Sequence, residues 1–343
     1  MYYSKHNSYR LILALLLMMA SIYANADKPD LKFRRLDTRN GLSNSQVNCI
    51  LKDSKGFVWI GTQYGLNRYD GYRFREFHSN IKDSTALLSD YVDNLFEDVD
   101  GRIWVQQELK YCVYDPKTEQ FEQNLSPWLN RAGVEGAVEK VYIDKRKNYW
   151  IKVWGGKLYY YNPSKNIKSN FVVDDAKYGP NSGLSSFDSY GKHTVMILKN
   201  GVIAALDGDK GKVVWVSNYV KQRQTADVVN NSIYIDHDRN YWVMTDGDCY
   251  VYMQKTRKWY NGVNHLLRKL GFADVPKVEM VTSAMEDRNG HMFLGTNHSG
   301  LFVLDFAKKR IYQYEKDINN ETSFSDINVV CLYLDRSGQM WIG

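Results

Sequence analysis

The chain contains 343 residues with a formal net charge of +6, and 14% of the residues are aromatic. The charged residues are scattered and form no basic stripe, which argues against a nucleic-acid partner. The 26 Tyr and 9 Trp suit sheets that pack face to face, and they also suit surfaces that bind sugars. The four cysteines are interpreted as small hydrophobic core residues and not as disulfide partners.

The first 26 residues have the features of a signal peptide. Lys5 and Arg10 give a basic start to an apolar segment at residues 11–22, and Ala24-Asn25-Ala26 supplies the small residues of a cleavage site. The apolar segment is shorter than the ~20 residues that span a bilayer. We therefore expect cleavage near Ala26 and export of residues 27–343, with an uncleaved anchor as the alternative.

A motif with Asp six residues before an aromatic residue recurs along the rest of the chain. Its fullest form, Asp-x-x-Gly-x-x-Trp-Ile-Gly, occurs at residues 53–61 and 335–343. The aromatic residues follow one another at intervals of 45, 46, 92, 51 and 48, so one eroded copy lies within the double interval. A period of roughly 40–50 residues built from short strands is typical of a propeller blade. The anchor pairs are Asp53 and Trp59, Asp98 and Trp104, Asp144 and Trp150, Asp236 and Trp242, Asp287 and Phe293, and Asp335 and Trp341.

The first repeat predicts a four-stranded blade. Asp53-Ser54-Lys55-Gly56 and Asp70-Gly71 are turn sequences, because Asp bonds the following backbone and Gly accepts a positive φ. The intervening segments carry β-branched and aromatic residues, as half-buried strands require. The repeated Asp residues are therefore interpreted as structural turn residues and not as catalytic carboxylates. The four predicted strands are Val47 to Leu51, Val58 to Thr62, Gly65 to Tyr69 and Phe74 to Phe77.

Together the repeats predict an all-β fold, a seven-bladed β-propeller with four-stranded antiparallel blades and an incomplete last blade. The fourth copy is eroded, with Asn200-Gly201 as its turn and Ala204 at the anchor position, and in the third copy Asn148 stands where Gly is expected. Either Lys32 to Leu36 add an outer strand to the last blade, or the chain is the N-terminal part of a longer protein, which we favour. The blades are expected near residues 41–77, 88–121, 138–171, 190–217, 230–260, 279–315 and 326–343.

The first repeat resembles the two-component regulator propeller repeat. The resemblance rests on Gly41-Leu42-Ser43, on the motif from Asp53 to Thr62, and on Gly65-Leu66-Asn67-Arg68-Tyr69-Asp70. This repeat builds the periplasmic sensor of hybrid two-component systems, so the resemblance implies a periplasmic location and a role in signal transduction. Family members continue into a second propeller and C-terminal signalling parts that include a histidine kinase, and none of these is encoded here.

The sequence contains no motif that predicts catalysis, a cofactor or a metal site. It lacks Gly-x-Ser-x-Gly and His-Glu-x-x-His, and the seven His are dispersed. The turns between second and third strands should instead gather at one face, where propellers place recognition. A short helix is expected from Asn264 to Leu270, near the same face. The predicted ligand-binding residues are Gln63, Tyr64, Glu108, Trp154, Asp246, Asn297 and His298.

These features predict a sensor propeller that recognises an oligosaccharide or polysaccharide fragment without catalysis, with Trp154 stacking on a sugar ring. One alternative is a propeller-fold polysaccharide lyase or hydrolase that uses Glu108 and Asp246. A second alternative is a truncated remnant without a ligand. A homodimer is a further possible partnership, and the sequence leaves the ligand and the oligomeric state open.

Overall fold

The structure is a computed structural model that describes residues 28–29, 31–224, 230–317, 323–324 and 326–343. The predicted signal peptide lies outside these residues. Every described strand and helix lies in one compact unit, Arg35–Gly343. In the described ranges, no helix combines the length and the apolar character needed to cross a membrane.

Six four-stranded antiparallel sheets follow one another along the chain, each in simple sequential order. We call them blades 1 to 6. Blades 1 to 3 consist of β1 (Val47–Lys52), β2 (Val58–Thr62), β3 (Leu66–Tyr69) and β4 (Phe74–Phe77); β5 (Asn94–Glu97), β6 (Ile103–Gln107), β7 (Lys110–Asp115) and β8 (Gln120–Glu122); and β9 (Val138–Ile143), β10 (Tyr149–Val153), β11 (Lys157–Asn162) and β12 (Ile167–Val172). Blades 4 to 6 consist of β13 (Leu184–Tyr190), β14 (His193–Leu198), β15 (Ile203–Asp207) and β16 (Lys212–Ser217); β17 (Ser232–Ile235), β18 (Tyr241–Met244), β19 (Cys249–Met253) and β20 (Lys258–Asn261); and β21 (Val281–Glu286), β22 (His291–Thr296), β23 (Leu301–Asp305) and β24 (Arg310–Tyr314).

The last repeat forms a two-stranded sheet, which we call the terminal sheet. It pairs β25 (Leu332–Leu334) with β26 (Met340–Ile342). The β-propeller with four-stranded antiparallel blades is thus confirmed, but the count of seven is not, because six such blades occur in the described residues. A 3-10 helix (Thr38–Asn40) precedes β1, and the helices α1 (Ser126–Ala132), α2 (Asp175–Tyr178) and α3 (Val263–Lys269) lie between blades.

The segment from Lys32 to Leu36 is not a strand, contrary to one of the two expectations for it. The hydrogen bonds next to it are local and not those of a sheet. Asp37 caps the 3-10 helix by accepting from the backbone N–H of Arg39 at 2.9 Å, and Asn40 accepts from the backbone N–H of Asp37. Leu36 packs against the apolar cluster of blade 1 that includes Val58 and Ile60.

The recurring Asp and Trp form one hydrogen-bonded unit in each blade that has both. In blade 1, one carboxylate oxygen of Asp53 accepts from the backbone N–H groups of Lys55 and Phe57, which closes the turn. The other oxygen accepts from the indole Nε1–H of Trp59 at 2.8 Å. The turn therefore fixes the position of the large ring. The same indole bond measures 3.1 Å from Trp104, 3.3 Å from Trp150, 2.9 Å from Trp242 and 3.3 Å from Trp341.

Asn148 was expected at the glycine position of its turn, but the structure places Lys147 there. The residue three after each Asp has a positive φ, and in blades 3 and 5 this residue is Lys147 (64°) or Arg239 (65°) where the other turns have Gly. The following residue, Asn148, donates from its side chain to Asp144 at 3.0 Å. This extra bond holds the turn in place although its left-handed residue is not Gly.

The buried indole rings fill the wedges between neighbouring blades. Trp59 meets Tyr114 of blade 2 with ring centroids 4.8 Å apart, and Trp150 meets Phe187 of blade 4 at 6.1 Å. Both indoles are at most 1% exposed. Burial of such a ring contributes on the order of 2–3 kcal/mol, so these contacts hold the radial arrangement together.

The fourth repeat was assigned in the wrong register. Asn200-Gly201 joins β14 to β15, which are the second and third strands, and Ala204 lies on β15 and not on the second strand. Blade 4 therefore begins at Leu184, before the expected residue 190, and Tyr190 is the last residue of β13, where it pairs with His193 of β14. The error arose because Asn-Gly is a strong hairpin sequence wherever it occurs. In the other blades the strands lie within the expected spans to within one residue.

The terminal sheet closes the ring against blade 1. Lys52 Nζ lies 2.7 Å from a carboxylate oxygen of Asp335, whose side chain is fully buried. Tyr333 donates from its hydroxyl to the Lys52 carbonyl at 3.2 Å, and Trp341 packs against the apolar cluster of blade 1. The four cysteines have no disulfide partner in the described structure; three are buried and Cys331 is partly exposed.

The Asp–indole bond can be tested in blade 5. Asp236 accepts from the indole of Trp242 and from the side chain of Asn240, both at 2.9 Å on one oxygen. An Asp236→Asn substitution places an amide N–H group against the indole N–H, and the indole has no acceptor to offer. We expect the free energy of unfolding to fall by about 2–3 kcal/mol in a denaturant titration.

Asp287→Asn is the matched control, because the anchor of blade 6 is Phe293 and the carboxylate faces His291 Nδ1 instead. A histidine can change tautomer and accept from the new amide, so a smaller loss of about 1 kcal/mol is expected. In a Trp242→Phe background the additional cost of Asp236→Asn should shrink. Equal losses in both blades would contradict the role given to the indole bond.

Candidate functional site

One face of the propeller carries the variable turns and all the inter-blade helices. Successive strands of a blade run in opposite directions, so the second-to-third-strand turns share a face with the connections from one blade to the next. The helices α1, α2 and α3 all lie in such connections. We call this face, with the turns at residues 63–65, 108–109, 154–156, 199–202, 245–248 and 297–300, the connector face.

The structure places all seven predicted ligand-binding residues in turns of the connector face. Tyr64 and Trp154 are 58% and 56% exposed, so neither ring belongs to the core. Asn297 is half-buried, and Gln63, Glu108, Asp246 and His298 are exposed. The corresponding turn of blade 4 was missed because of the register error, and it adds Lys199 and Asn200 to the same face.

Three of the seven residues contact three different segments that join one blade to the next. The ring of Tyr64 contacts that of His78 at a centroid distance of 5.3 Å. The backbone N–H of Asn297 donates to the Met280 carbonyl at 3.0 Å, and that of His298 donates to the Asn328 side chain at 3.1 Å. The segments that hold Tyr64, Asn297 and His298 are thus those that follow blades 1, 5 and 6, respectively.

Glu108 and Asp246 lie in the turns of blades 2 and 5. Blades 3 and 4 stand between them, so the fold does not pair the two carboxylates that the enzyme alternative would use. Acid–base cleavage of a glycosidic bond by a carboxyl pair needs the two groups within about 5–10 Å of each other.

A pocket of about 580 Å³ opens on the connector face beside blade 5. We call it the α3 pocket. Its rim is formed by the β18–β19 turn on one side and by α3 with the segment that follows it on the other. The residues that give it polar character are Asp248, Asn264, Arg268, Lys277 and Glu279.

The walls of the α3 pocket are set by local sequence. The helix expected from Asn264 to Leu270 is confirmed as α3, which buries Leu266 and Leu267 and ends before Gly271, a residue with φ of 79°. Asn264 donates to the Pro276 carbonyl and accepts from the Val278 backbone N–H at 3.0 Å. This amide side chain therefore fixes the returning segment above the helix and keeps the pocket open.

The volume and lining of the α3 pocket suit a small polar ligand. Small-molecule sites usually measure ≈ 300–1,000 Å³. An amide, a guanidinium and carboxylates together can donate to and accept from several hydroxyl groups. Groups of acidic, His or Cys side chains that could hold a metal ion are absent from the described residues.

A charged cluster, which the sequence analysis did not identify, lies near the axis on the same face. It consists of Asp93, Glu139, Lys140, Lys152 and Lys199 at the ends of strands or in turns of blades 2, 3 and 4. Lys152 Nζ is 3.1 Å from Glu139, and Lys140 Nζ donates to the Ser185 carbonyl across the boundary between blades 3 and 4. No sequence motif marks these residues, because they come from three separate repeats. We call this group the axial cluster.

Burial and mutual charge change the pKa values in the axial cluster. Desolvation, together with the nearby positive charge of Lys199, lowers the pKa of Lys140 to about 8. Desolvation also raises the pKa of Asp93, against the hydrogen bond that Asp93 accepts from the Glu108 backbone N–H. The cluster therefore holds a lysine whose charge changes close to neutral pH.

Removal of Lys199 tests this electrostatic coupling. Lys199→Gln should raise the pKa of Lys140 from about 8 towards the usual ≈ 10.4, measured by NMR on protein labelled at lysine Cε. The folded protein binds fewer protons than the unfolded chain between these two values. The wild type should therefore gain stability relative to Lys140→Met as the pH rises through that interval. An unchanged Lys140 titration in Lys199→Gln would show that the two ammonium groups do not interact.

Two segments of the chain match a known family of propeller repeats. Residues 41–64 and 323–343 match the family described as two component regulator propeller, so the resemblance of the repeats is confirmed. A segment of 73 residues, 21% of the chain, is 34% identical to histidine kinase P4 of Formosa agariphila. The matching segment spans 5% of that kinase.

Two solved structures from B. thetaiotaomicron share the fold. One is described as the extracellular domain of a hybrid two component system; it has a TM-score of 0.67 and 17% identity, and the match covers 90% of this chain and 40% of that one. The other is described as the extracellular domain of a one component system, with a TM-score of 0.67, 20% identity, and coverage of 91% and 38%. The chain thus spans about two fifths of the length of these relatives.

Proposed function

We propose that this chain, with its two-component regulator propeller repeats, is the ligand-sensing propeller of a two-component signalling system. Its ligand is a glycan fragment that binds the connector face and is not chemically altered. The exposed Trp154 side chain on that face is the observation that carries this proposal. An exposed indole provides a flat apolar surface on which a sugar ring can stack.

The polar groups around the indole support a glycan over an apolar ligand. Lys140, Lys199 and the Glu139–Lys152 ion pair lie at the axial ends of blades 3 and 4, and the turn with Trp154 directly follows β10. The α3 pocket gives a second polar subsite beside blade 5. A chain of sugars across the face meets both groups of donors and acceptors.

The location and the remaining architecture belong to the same proposal. The basic and apolar leader supports export to the periplasm by a cleaved signal peptide. The terminal sheet belongs to a seventh blade, because its Asp335–Trp341 bond repeats the geometry of the complete blades. Signalling requires that the ligand bind one arrangement of the sensor more tightly than another.

Trp154→Ala tests the stacking surface. We expect loss of glycan binding by at least about tenfold in isothermal titration against a polysaccharide-fragment panel, with a nearly unchanged melting temperature. Tyr72→Ala is the matched control, because Tyr72 is 92% exposed in a third-to-fourth-strand turn on the opposite face. A large fall in melting temperature for Trp154→Ala would instead assign the indole to the core.

Gly247→Trp tests the α3 pocket independently. A Cβ atom added at Gly247, which lines the pocket, meets no atom within 4 Å, and Gly247 does not have a left-handed φ, so a larger side chain can be introduced there without backbone strain. The expected result is weaker binding of longer fragments with the fold intact. New reducing ends or unsaturated products after incubation with polysaccharide would overturn the non-catalytic role in favour of a lyase or hydrolase.

A further inference from the structure

Blade 4 has neither the turn aspartate nor the anchor ring; blades 1, 2, 3 and 5 and the terminal sheet have the Asp–indole unit, and blade 6 has Asp287 with Phe293. The strand register pairs Ser189 with Thr194, as it pairs Lys52 with Val58 in blade 1. The next positions show that Tyr190 stands where blade 1 has Asp53. By the same register, Val195 stands where blade 1 has Trp59.

A cavity occupies the place of the missing ring. The other anchor indoles fill the wedge to the next blade, whereas Val195 leaves a cavity of about 220 Å³ between blades 4 and 5. Val195 and Ile235 are buried and form its apolar floor. The rings of Tyr190 and Tyr241 form its sides. The cavity opens at the first-to-second-strand turns, on the face opposite to the connector face.

Positive charge surrounds the mouth of this cavity. Lys192 and Arg239 are exposed there, and neither forms an ion pair with a carboxylate of the described residues. The Arg239 guanidinium lies 4.9 Å from the centroid of the Tyr190 ring. His193 also lines the cavity, and its buried Nδ1 has no hydrogen-bond partner among the described residues.

The neighbouring acidic groups are engaged elsewhere. Asp188 accepts from the Ile235 backbone N–H at 2.7 Å and pairs with Lys145. Asp236 holds the turn and indole of blade 5. Asp207, the cross-strand neighbour of His193, accepts from the Lys210 backbone N–H at 3.2 Å. Asp238, next to Arg239 in the chain, lies 3.4 Å from His237. The described residues that line the cavity thus include the cations Lys192 and Arg239 and no carboxylate.

We propose that this cavity is a second ligand site, which binds a planar aromatic ring bearing a carboxylate. The ring occupies the place that the anchor indole fills in blades 1, 2, 3 and 5, between Tyr190 and Tyr241. The carboxylate stays at the mouth, where it accepts charge-assisted hydrogen bonds from Arg239 and Lys192. Apolar cavities of comparable size bind small aromatic molecules, and the cations add selectivity for an anion.

Indole-3-acetate and the neutral 3-methylindole are the probes, titrated into the full chain by calorimetry or ligand-detected NMR. We expect saturable one-to-one binding of indole-3-acetate. Binding of 3-methylindole should be at least about tenfold weaker, because it lacks the carboxylate that accepts a charge-assisted hydrogen bond. Absence of saturable binding of indole-3-acetate to the wild type would overturn the proposal.

Two variants separate the site from general effects on folding. Val195→Trp restores the ring of the other blades and should abolish binding of both probes. Arg239→Gln changes an exposed side chain, and it should weaken indole-3-acetate about tenfold while 3-methylindole is unaffected. Arg73→Gln, an exposed cation in blade 1, is the matched control and should bind like the wild type.

If Val195→Trp does not fold, Arg239→Gln with the two probes decides the question alone. Equal binding of indole-3-acetate to wild type and Arg239→Gln would overturn the proposed carboxylate contact. The site does not depend on glycan recognition, so a folded Val195→Trp protein should keep the glycan affinity of the wild type. Loss of glycan binding in that variant would contradict the separation of the two faces.

Discussion

The hydrogen bond between a turn aspartate and an indole six residues later is the interaction on which this propeller depends. The aspartate uses one oxygen to close the turn and the other to hold the indole N–H, as Asp53 does with Trp59. The carboxylate is thereby satisfied although it is buried, which removes the cost of an unpaired charge in the interior. The fixed ring then fills the gap to the next blade. Local turn geometry and radial packing are coupled through a single side-chain pair.

Where this pair changes, the structure changes with it. In blade 6 the anchor ring is Phe293 and the Asp287 carboxylate contacts His291 instead. A buried ring is therefore still present, although the indole hydrogen bond is lost. In blade 4 both partners are absent, and a cavity remains beside Val195. In the terminal sheet the pair is present, and Asp335 additionally binds Lys52 of blade 1. One unit thus accounts for the regular blades, for the cavity, and for the closure of the ring.

The same arrangement separates stability from recognition. The aspartate turns lie on one face, and the variable turns and helices lie on the other, because strands alternate in direction. Substitutions on the connector face therefore leave the Asp–indole units untouched. Trp154 is one indole of the chain that lies outside this system, exposed on the connector face and not wedged between blades. In the sensor that we propose, the ligand-binding turns can therefore vary while the core stays the same.

The sequence by itself determined the blade design, because the pattern that encodes it is local. An aspartate, a turn and an aromatic residue six positions later fall within one hairpin, and their spacing survives in six of the seven repeats. The helix at Asn264 was predictable for the same reason. The tertiary structure alone decided the register of blade 4, where a strong Asn-Gly signal marked a different turn from the one expected. It also decided the axial cluster, the α3 pocket and the cavity at Val195. These features join side chains from different repeats, and no spacing along the chain records which strands become neighbours around the axis.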